Sequence, residues 1–168
     1  MAEDSLADGR RLSVRSAGLA DAASIVRLVC ALAAYEHVAQ SDVRLTEAEV
    51  LRAAFGARPE FEVLLAERDG LPVGFALFFQ SYSTFAGGPC LYLEDLFVEE
   101  TSRGLGLGRR LLRELARLCL QRRYLKLDLS VLDWNPTRAL YHRIGFRQRE
   151  GWLPYRLDGE GIVRLANS

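Results

Sequence analysis

Glu94 stands in the middle of Leu91 to Val98, an otherwise largely apolar run. A carboxylate in such a place costs free energy unless a cation pairs with it or a reaction uses it. A bound ammonium would pair with it, and Glu94 could then take a proton directly or through a water. A strand-end salt bridge is the other reading of the same residue. Asp95, next along the strand, points to the opposite face by simple alternation and reads as structural. Downstream, Arg103-Gly104-Leu105-Gly106-Leu107-Gly108 lies between a predicted strand and a predicted helix. A helix N-terminus presents unpaired N–H groups and partial positive charge, and glycines let a ligand approach them closely. Such a loop makes a phosphate cradle, with Arg103 and Arg109 able to add charge. It also reads as a plain tight turn before a helix.

Spacing excludes two nucleotide-binding motifs. A P-loop ends in Gly-Lys-Ser/Thr, whereas Gly108 is followed by Arg109 and Arg110. The dinucleotide fingerprint needs Gly-x-Gly-x-x-Gly, and neither Gly104/Gly106 nor Gly106/Gly108 has its third glycine. What survives is Arg-x-x-Gly-x-Gly opening a helix.

The elements that must position these residues follow from periodicity. Leu12 to Arg15 is a short strand. Ile25, Leu28, Val29 and Leu32 repeat at helical spacing within Ala20 to Ala34. Thr46 and Glu49 form a capping-box pattern ahead of a second helix that Gly56 and Pro59 close. Phe61 to Glu67 and Val73 to Gln80 flank the hairpin signal Arg68-Asp69-Gly70. Leu91 to Val98 is the next strand, Arg109 to Gln121 a strong helix, and Leu125 to Val131 a strand. Thr137 to Ile144 is a short helix and Trp152 to Leu157 a last strand. The order predicts a mixed α/β fold whose sheet begins antiparallel and ends parallel.

Length and composition suit one domain over 12–168 after a loose tail over 1–11. Of 168 residues, 49% are hydrophobic and 26% charged, and 22 basic residues balance 22 acidic ones. That balance disfavours nucleic acid as a partner. No run of about 18 apolar residues predicts a membrane span, and the polar N-terminus lacks the apolar core of a signal peptide. The three cysteines, Cys30, Cys90 and Cys119, are far apart and read as buried free thiols in a reducing cytosol. No metal-ligand spacing is present.

The glycine loop resembles the pyrophosphate-binding loop of the GNAT N-acetyltransferases, which cradles acetyl-coenzyme A. The likeness extends to Leu140-Tyr141-His142-Arg143-Ile144-Gly145-Phe146, which is similar to the family's Leu-Tyr-x-x-x-Gly-Phe ending. Within the family it is strongest to the diamine acetyltransferases, the spermidine/spermine and thialysine enzymes. The matching residues are Ala34-Tyr35-Glu36, Tyr92-Leu93-Glu94-Asp95, Val131-Leu132-Asp133-Trp134-Asn135 and Glu150-Gly151-Trp152. They span nearly the whole chain, in order around the loop.

This resemblance implies the GNAT acyl-CoA N-acyltransferase fold: a mixed central sheet, splayed parallel strands (Leu91–Val98 and Leu125–Val131) and about four helices. It implies acetyl transfer from acetyl-CoA, with no metal, to a primary amine of a small diamine, polyamine or amino-acid side chain. The amine attacks directly in a ternary complex. A free amine has a pKa near ~10, so it arrives as an ammonium and must lose a proton before it attacks. The resemblance gives Glu94 amine recognition and base work, and makes Tyr141 the acid that protonates the coenzyme A sulfur. It places the cofactor on Leu96, Phe97 and Val98, on Arg103, Gly104, Leu105, Gly106, Leu107, Gly108 and Arg109, and on Asn135 and Tyr141. It places the acceptor on Tyr35, Glu36, Glu94, Glu150 and Trp152. It further implies a homodimer. A protein or peptide amine as acceptor, or a non-catalytic coenzyme-A-binding module, are the alternatives.

The match departs at two points. Ser83-Thr84-Phe85 replaces an Asp-Pro-Trp run that helps hold polyamines, which brings a smaller amine such as thialysine level with spermidine and spermine. Asn135 precedes Tyr141 by six residues rather than the family's seven, about 100° of helical rotation.

Overall fold

A computed structural model describes Asp4–Ser5 and residues 10–168. They fall into two compact units, Met1–Ser130 and Val131–Ser168. The first unit carries β1 (Asp4–Ser5), β2 (Arg11–Ser16), α1 (Ala22–Tyr35), α2 (Glu47–Phe55), β3 (Glu62–Arg68), β4 (Leu71–Ser83), β5 (Gly88–Val98), α3 (Leu107–Arg122) and β6 (Leu127–Leu129). Its six strands lie side by side in chain order. Pairing is antiparallel from β1 to β5 and parallel between β5 and β6. Of the expected tail, Asp4 pairs with Leu12 and Ser5 with Arg11; residues 1–3 and 6–9 lie outside the described residues.

Local signals explain most of these elements. Thr46 Oγ1 accepts from the Glu49 amide at 3.2 Å, giving α2 its N-cap. Asp69 (φ 54°) and Gly70 (φ 81°) make the tight β3–β4 turn, both in the left-handed region that such hairpins require. At the end of α1, His37 adopts φ 60°, and the Val38 amide returns to the Ala33 carbonyl at 2.8 Å. The His37 amide bonds Ala34 at 3.3 Å, so the helix ends in a Schellman motif that fixes where Tyr35 and Glu36 sit.

The sheet is covered on both faces. Ile25, Leu28 and Leu32 of α1 and Val50 and Ala54 of α2 pack with Val63, Leu65, Phe75, Leu77 and Phe97. On α3, Leu107, Leu111 and Leu115 recur at spacings of four and are almost fully buried together with Leu112. Arg15 crosses the end of the sheet to Asp21 and Glu67, each at 2.7 Å, and holds the Asp21 carboxyl below its ordinary range.

The second unit carries α4 (Arg138–Arg143) and α5 (Gly159–Ala166). Here the structure corrects the sequence reading. Trp152 to Leu157 is irregular chain rather than a strand. Its apolar side chains are outward, with Tyr155 91% exposed, so alternation has no sheet face to serve. The helix that follows starts at Asp158, whose carboxylate accepts from the Gly161 amide at 3.1 Å. The strand expected over Leu125 to Val131 is reduced to Leu127–Leu129. Of the cysteines, only Cys90 is buried; Cys30 and Cys119 are half-buried, and all three are free thiols. Among the described residues, no helix is long and apolar enough to cross a membrane.

Candidate active site

The glycine-rich loop follows β5 through a short helical turn, Glu100–Ser102. Gly104 (φ 79°) and Gly106 (φ 80°) both take the left-handed conformation, which glycine adopts without strain. Gly106 is the N-cap of α3, and no side chain caps that end. The loop is anchored by Ser102 and Leu107, both almost fully buried. A Cβ added at Gly104 or Gly106 would meet no atom within 4 Å, so the space over these amides is open. The first-turn N–H groups of α3 therefore face a site suited to an anion.

Beside the loop, the sheet opens. Residues Leu91, Tyr92 and Leu93 of β5 pair with Leu127, Asp128 and Leu129 of β6, and the pairing stops there. Tyr92 and Ser130 hydroxyls lie 2.8 Å apart at this last point of closure. Residues 94–98 continue along β4 with no parallel neighbour. Two parallel strands that part in this way leave backbone donors and acceptors free for an extended ligand.

The parting coincides with a bulge. Leu77 pairs with Asp95 and Phe78 with Leu93, which leaves Glu94 as the extra residue of β5. The bulge breaks the alternation assumed from sequence. Glu94 is exposed, whereas Asp95 is half-buried. Burial, then the nearby charges of Glu94 and Glu36, pushes the Asp95 carboxyl up to about 6. Burial also raises Glu36 above its ordinary value. Asp95, read from sequence as structural, is thus the carboxylate whose environment the fold has altered most. A bulge cannot be read from residue types, so the sequence held no signal for it.

Tyr35 and Glu36, at the end of α1, come to this same place. The Tyr35 and Phe97 rings are 6.3 Å apart. The Arg103 guanidinium lies over Tyr35, 4.5 Å from the ring centroid, and 5.8 Å from that of Phe97. Its Nε donates to the Val98 carbonyl at 3.0 Å. Arg109 is exposed on the first turn of α3. Among the described residues, no group of three His, Cys, Asp or Glu could hold a metal ion.

The remaining expected residues belong to the second unit. Tyr141 is buried on α4, its ring 5.5 Å from that of Phe146. Asn135 Oδ1 accepts from the Thr137 amide at 2.9 Å, which starts α4. Pro136, between them, suits the opening turn of a helix. Glu150 and Trp152 are exposed, and Arg149 lies 4.2 Å over the Trp152 ring.

The comparisons agree with this geometry. The model of the acetyltransferase (GNAT) family matches residues 30–146. That match contains the splayed strands, the glycine loop and α4. The chain belongs to the acetyltransferase (GNAT) family. Thialysine N-epsilon-acetyltransferase of Bos taurus is 36% identical over 166 residues, covering 91% of this chain and 96% of that protein. L-ornithine N5-acetyltransferase of Arabidopsis thaliana is 30% identical over 110 residues, covering 64% of this chain and 48% of that protein. Among solved structures, an integron cassette protein from V. cholerae has a TM-score of 0.77 at 23% identity, covering 94% of this chain and 98% of that one.

As a GNAT protein, the chain is an acetyl-CoA-dependent N-acetyltransferase. Its own residues fit that co-substrate. The open, uncapped amides of Gly104 to Arg109 suit a pyrophosphate, and the unpaired edge at 94–98 suits the amide-bearing pantetheine arm.

Proposed function

We propose that this GNAT enzyme acetylates the side-chain amine of a small amino acid or diamine of the thialysine type. The observation that carries the reading is the cluster of Glu36, Glu94 and Asp95 where β5 parts from β6, beside the glycine loop. Carboxylates there pair with ammonium groups, and several of them suit a substrate with more than one charged nitrogen. The thialysine and ornithine enzymes, similar to this chain, are named for substrates of that kind.

The reaction follows from these residues. Glu36 and Glu94 receive the ammonium. Asp95, near 6, is a base matched to neutral pH, and it takes one proton from the ammonium. Glu94 was expected in that role from sequence; its exposure suits substrate capture better. Acetyl-CoA supplies an acyl thioester. The neutral amine then forms a C–N bond with the acetyl carbon as the C–S bond breaks. In this reading, the backbone N–H groups within Leu96 to Val98 that turn away from β4 bind the thioester oxygen and the pantetheine amides. Tyr141 gives its hydroxyl proton to the departing sulfur, an assignment that rests on the Leu-Tyr-x-x-x-Gly-Phe motif. The second nitrogen proton, released as the amide forms, restores the tyrosine hydroxyl, so that one proton remains on Asp95. Glu150 and Trp152 remain acceptor-side candidates on the same motif basis, and Asn135 a cofactor-side one. Its side chain already serves the start of α4.

We also assign a homodimer. Ile162, Val163 and Leu165 of α5 are 54%, 60% and 67% exposed, an apolar surface that a second copy would cover. The three free thiols fit a reducing, cytoplasmic compartment.

The test is thiol release from acetyl-CoA against thialysine, ornithine, lysine, putrescine, spermidine, spermine and lysine-bearing peptides. Turnover is expected with a small diamino acid or diamine, and a loss of roughly 100-fold or more in Asp95→Asn or Tyr141→Phe. Tight acetyl-CoA binding without turnover of any small amine would overturn the reading, whether or not a peptide is acetylated.

A further inference from the structure

Arg103 opens the glycine loop, and its charge would ordinarily be counted toward the cofactor phosphates. The structure uses it otherwise. Its Nε is committed to the Val98 carbonyl at 3.0 Å, the last residue of β5. That bond turns the guanidinium back over α1, where it lies 4.5 Å from the Tyr35 centroid and 5.8 Å from that of Phe97. Phe97 extends the stack inward to Phe75, whose ring is 6.5 Å away and whose side chain is fully buried. The outer member of the stack, Tyr35, precedes Glu36, and the Glu36 charge reaches Asp95. The loop's first residue is therefore clasped to the acceptor side of the site. The first-turn amides of α3 have no side-chain cap, and the Arg103 side chain is turned to Val98 and Tyr35.

We propose that Arg103 is a positioning residue for the acceptor pocket, holding Tyr35 and the end of α1 in place by stacking, while the cofactor phosphates are held by backbone amides. The proposal rests on the acetyltransferase reading above and assigns Arg103 to the acceptor half of that site. A cation over an aromatic face, further fixed by a hydrogen bond, restrains a ring that otherwise has two free torsions. Because Arg103 begins the cofactor loop, the same contact ties the order of that loop to the order of the acceptor pocket.

The test separates the two halves. Arg103→Met keeps the aliphatic stem and removes the charge. In this variant the acceptor KM is expected to rise about three- to fivefold at saturating acetyl-CoA, with the Kd of coenzyme A changed less than about twofold. In a Tyr35→Leu background the same substitution should leave the acceptor KM unchanged, because the stacking partner is already gone. Arg103→Lys, which keeps a cation near the ring, should recover part of the effect. Independently of turnover, hydrogen exchange at the amides of Glu36, His37 and Val38 should quicken in Arg103→Met. A coenzyme A Kd weakened tenfold or more, with acceptor KM and exchange unchanged, would make Arg103 a phosphate ligand and overturn the proposal. So would full additivity with Tyr35→Leu. If no acceptor is turned over, the proposed function fails, and the exchange and coenzyme A measurements still decide the role of Arg103. A Met variant that does not fold passes the same measurements to Arg103→Lys. With the cation retained but the Val98 bond lost, a smaller quickening of exchange at unchanged coenzyme A Kd supports the proposal, and no quickening overturns it.

Discussion

Asp95 shows how one inserted residue reassigns chemistry. In an uninterrupted strand, Glu94 and Asp95 would face opposite sides of the sheet. The bulge at Glu94 instead leaves Asp95 half-buried and within the field of two other carboxylates. A carboxyl raised in this way is protonated at mildly acidic pH and ionised at neutrality. If it is the base, kcat/KM for the amine should fall about tenfold per pH unit below 6 and level off above 7. Asp95→Asn should abolish that limb, whereas Glu94→Gln should raise the acceptor KM and move the limb to lower pH without abolishing it, because the Glu94 charge helps hold Asp95 up. The stability linkage has the opposite sense. The folded state holds the proton more tightly than the unfolded chain, so stability contributed by neutral Asp95 is lost as pH rises toward 6. Asp95→Asn should therefore stabilise the apoprotein above pH 7, by up to about 3 kcal/mol, in urea melts at pH 5 and 8. A variant less stable than the parent at pH 8 would sink this account.

At the scale of elements, the site depends on β4 and β5 lying close while β5 and β6 part. Gly74 of β4 pairs with Val98 at the end of β5. A Cβ at Gly74 would lie 2.7 Å from the Phe97 carbonyl oxygen and 3.2 Å from the Val98 Cα. Both are backbone atoms, so the strands themselves would have to move. Gly74→Ala should cost about 1–3 kcal/mol of stability. It should also raise the acetyl-CoA KM several-fold more than the acceptor KM, because the displaced segment is the edge that faces the pantetheine arm. Calorimetric melting together with initial rates would check both, and an unchanged cofactor KM would detach this edge from cofactor binding. The helices contribute in a different way: α1 delivers Tyr35 and Glu36 through its Schellman ending, and α3 delivers an uncapped N-terminus.

For the whole molecule, the unit over Val131–Ser168 leaves Trp152, Leu153, Tyr155 and Leu157 exposed. Sedimentation equilibrium is expected to return twice the chain mass, and the pair Ile162→Glu with Leu165→Glu to return one. A monomer in the parent would remove the dimer assignment without touching the chemistry. Much of this protein was legible in its residues. Helical and strand periods placed α1 to α4 and the strands β2 to β5, because burial of one face imposes a repeat on the chain. The glycine loop and the motifs around it carried the resemblance to the family, and through it the expected co-substrate, because backbone approach to a phosphate restricts residue type directly. Trp152 to Leu157 misled, because alternating apolar residues specify a strand only when a sheet edge is there to receive them. The bulge at Glu94, the altered Asp95 and the turn of Arg103 onto Tyr35 were settled only by the tertiary structure. Register, desolvation and stacking are properties of residues far apart in the chain, and they exist only once the strands and helices have met.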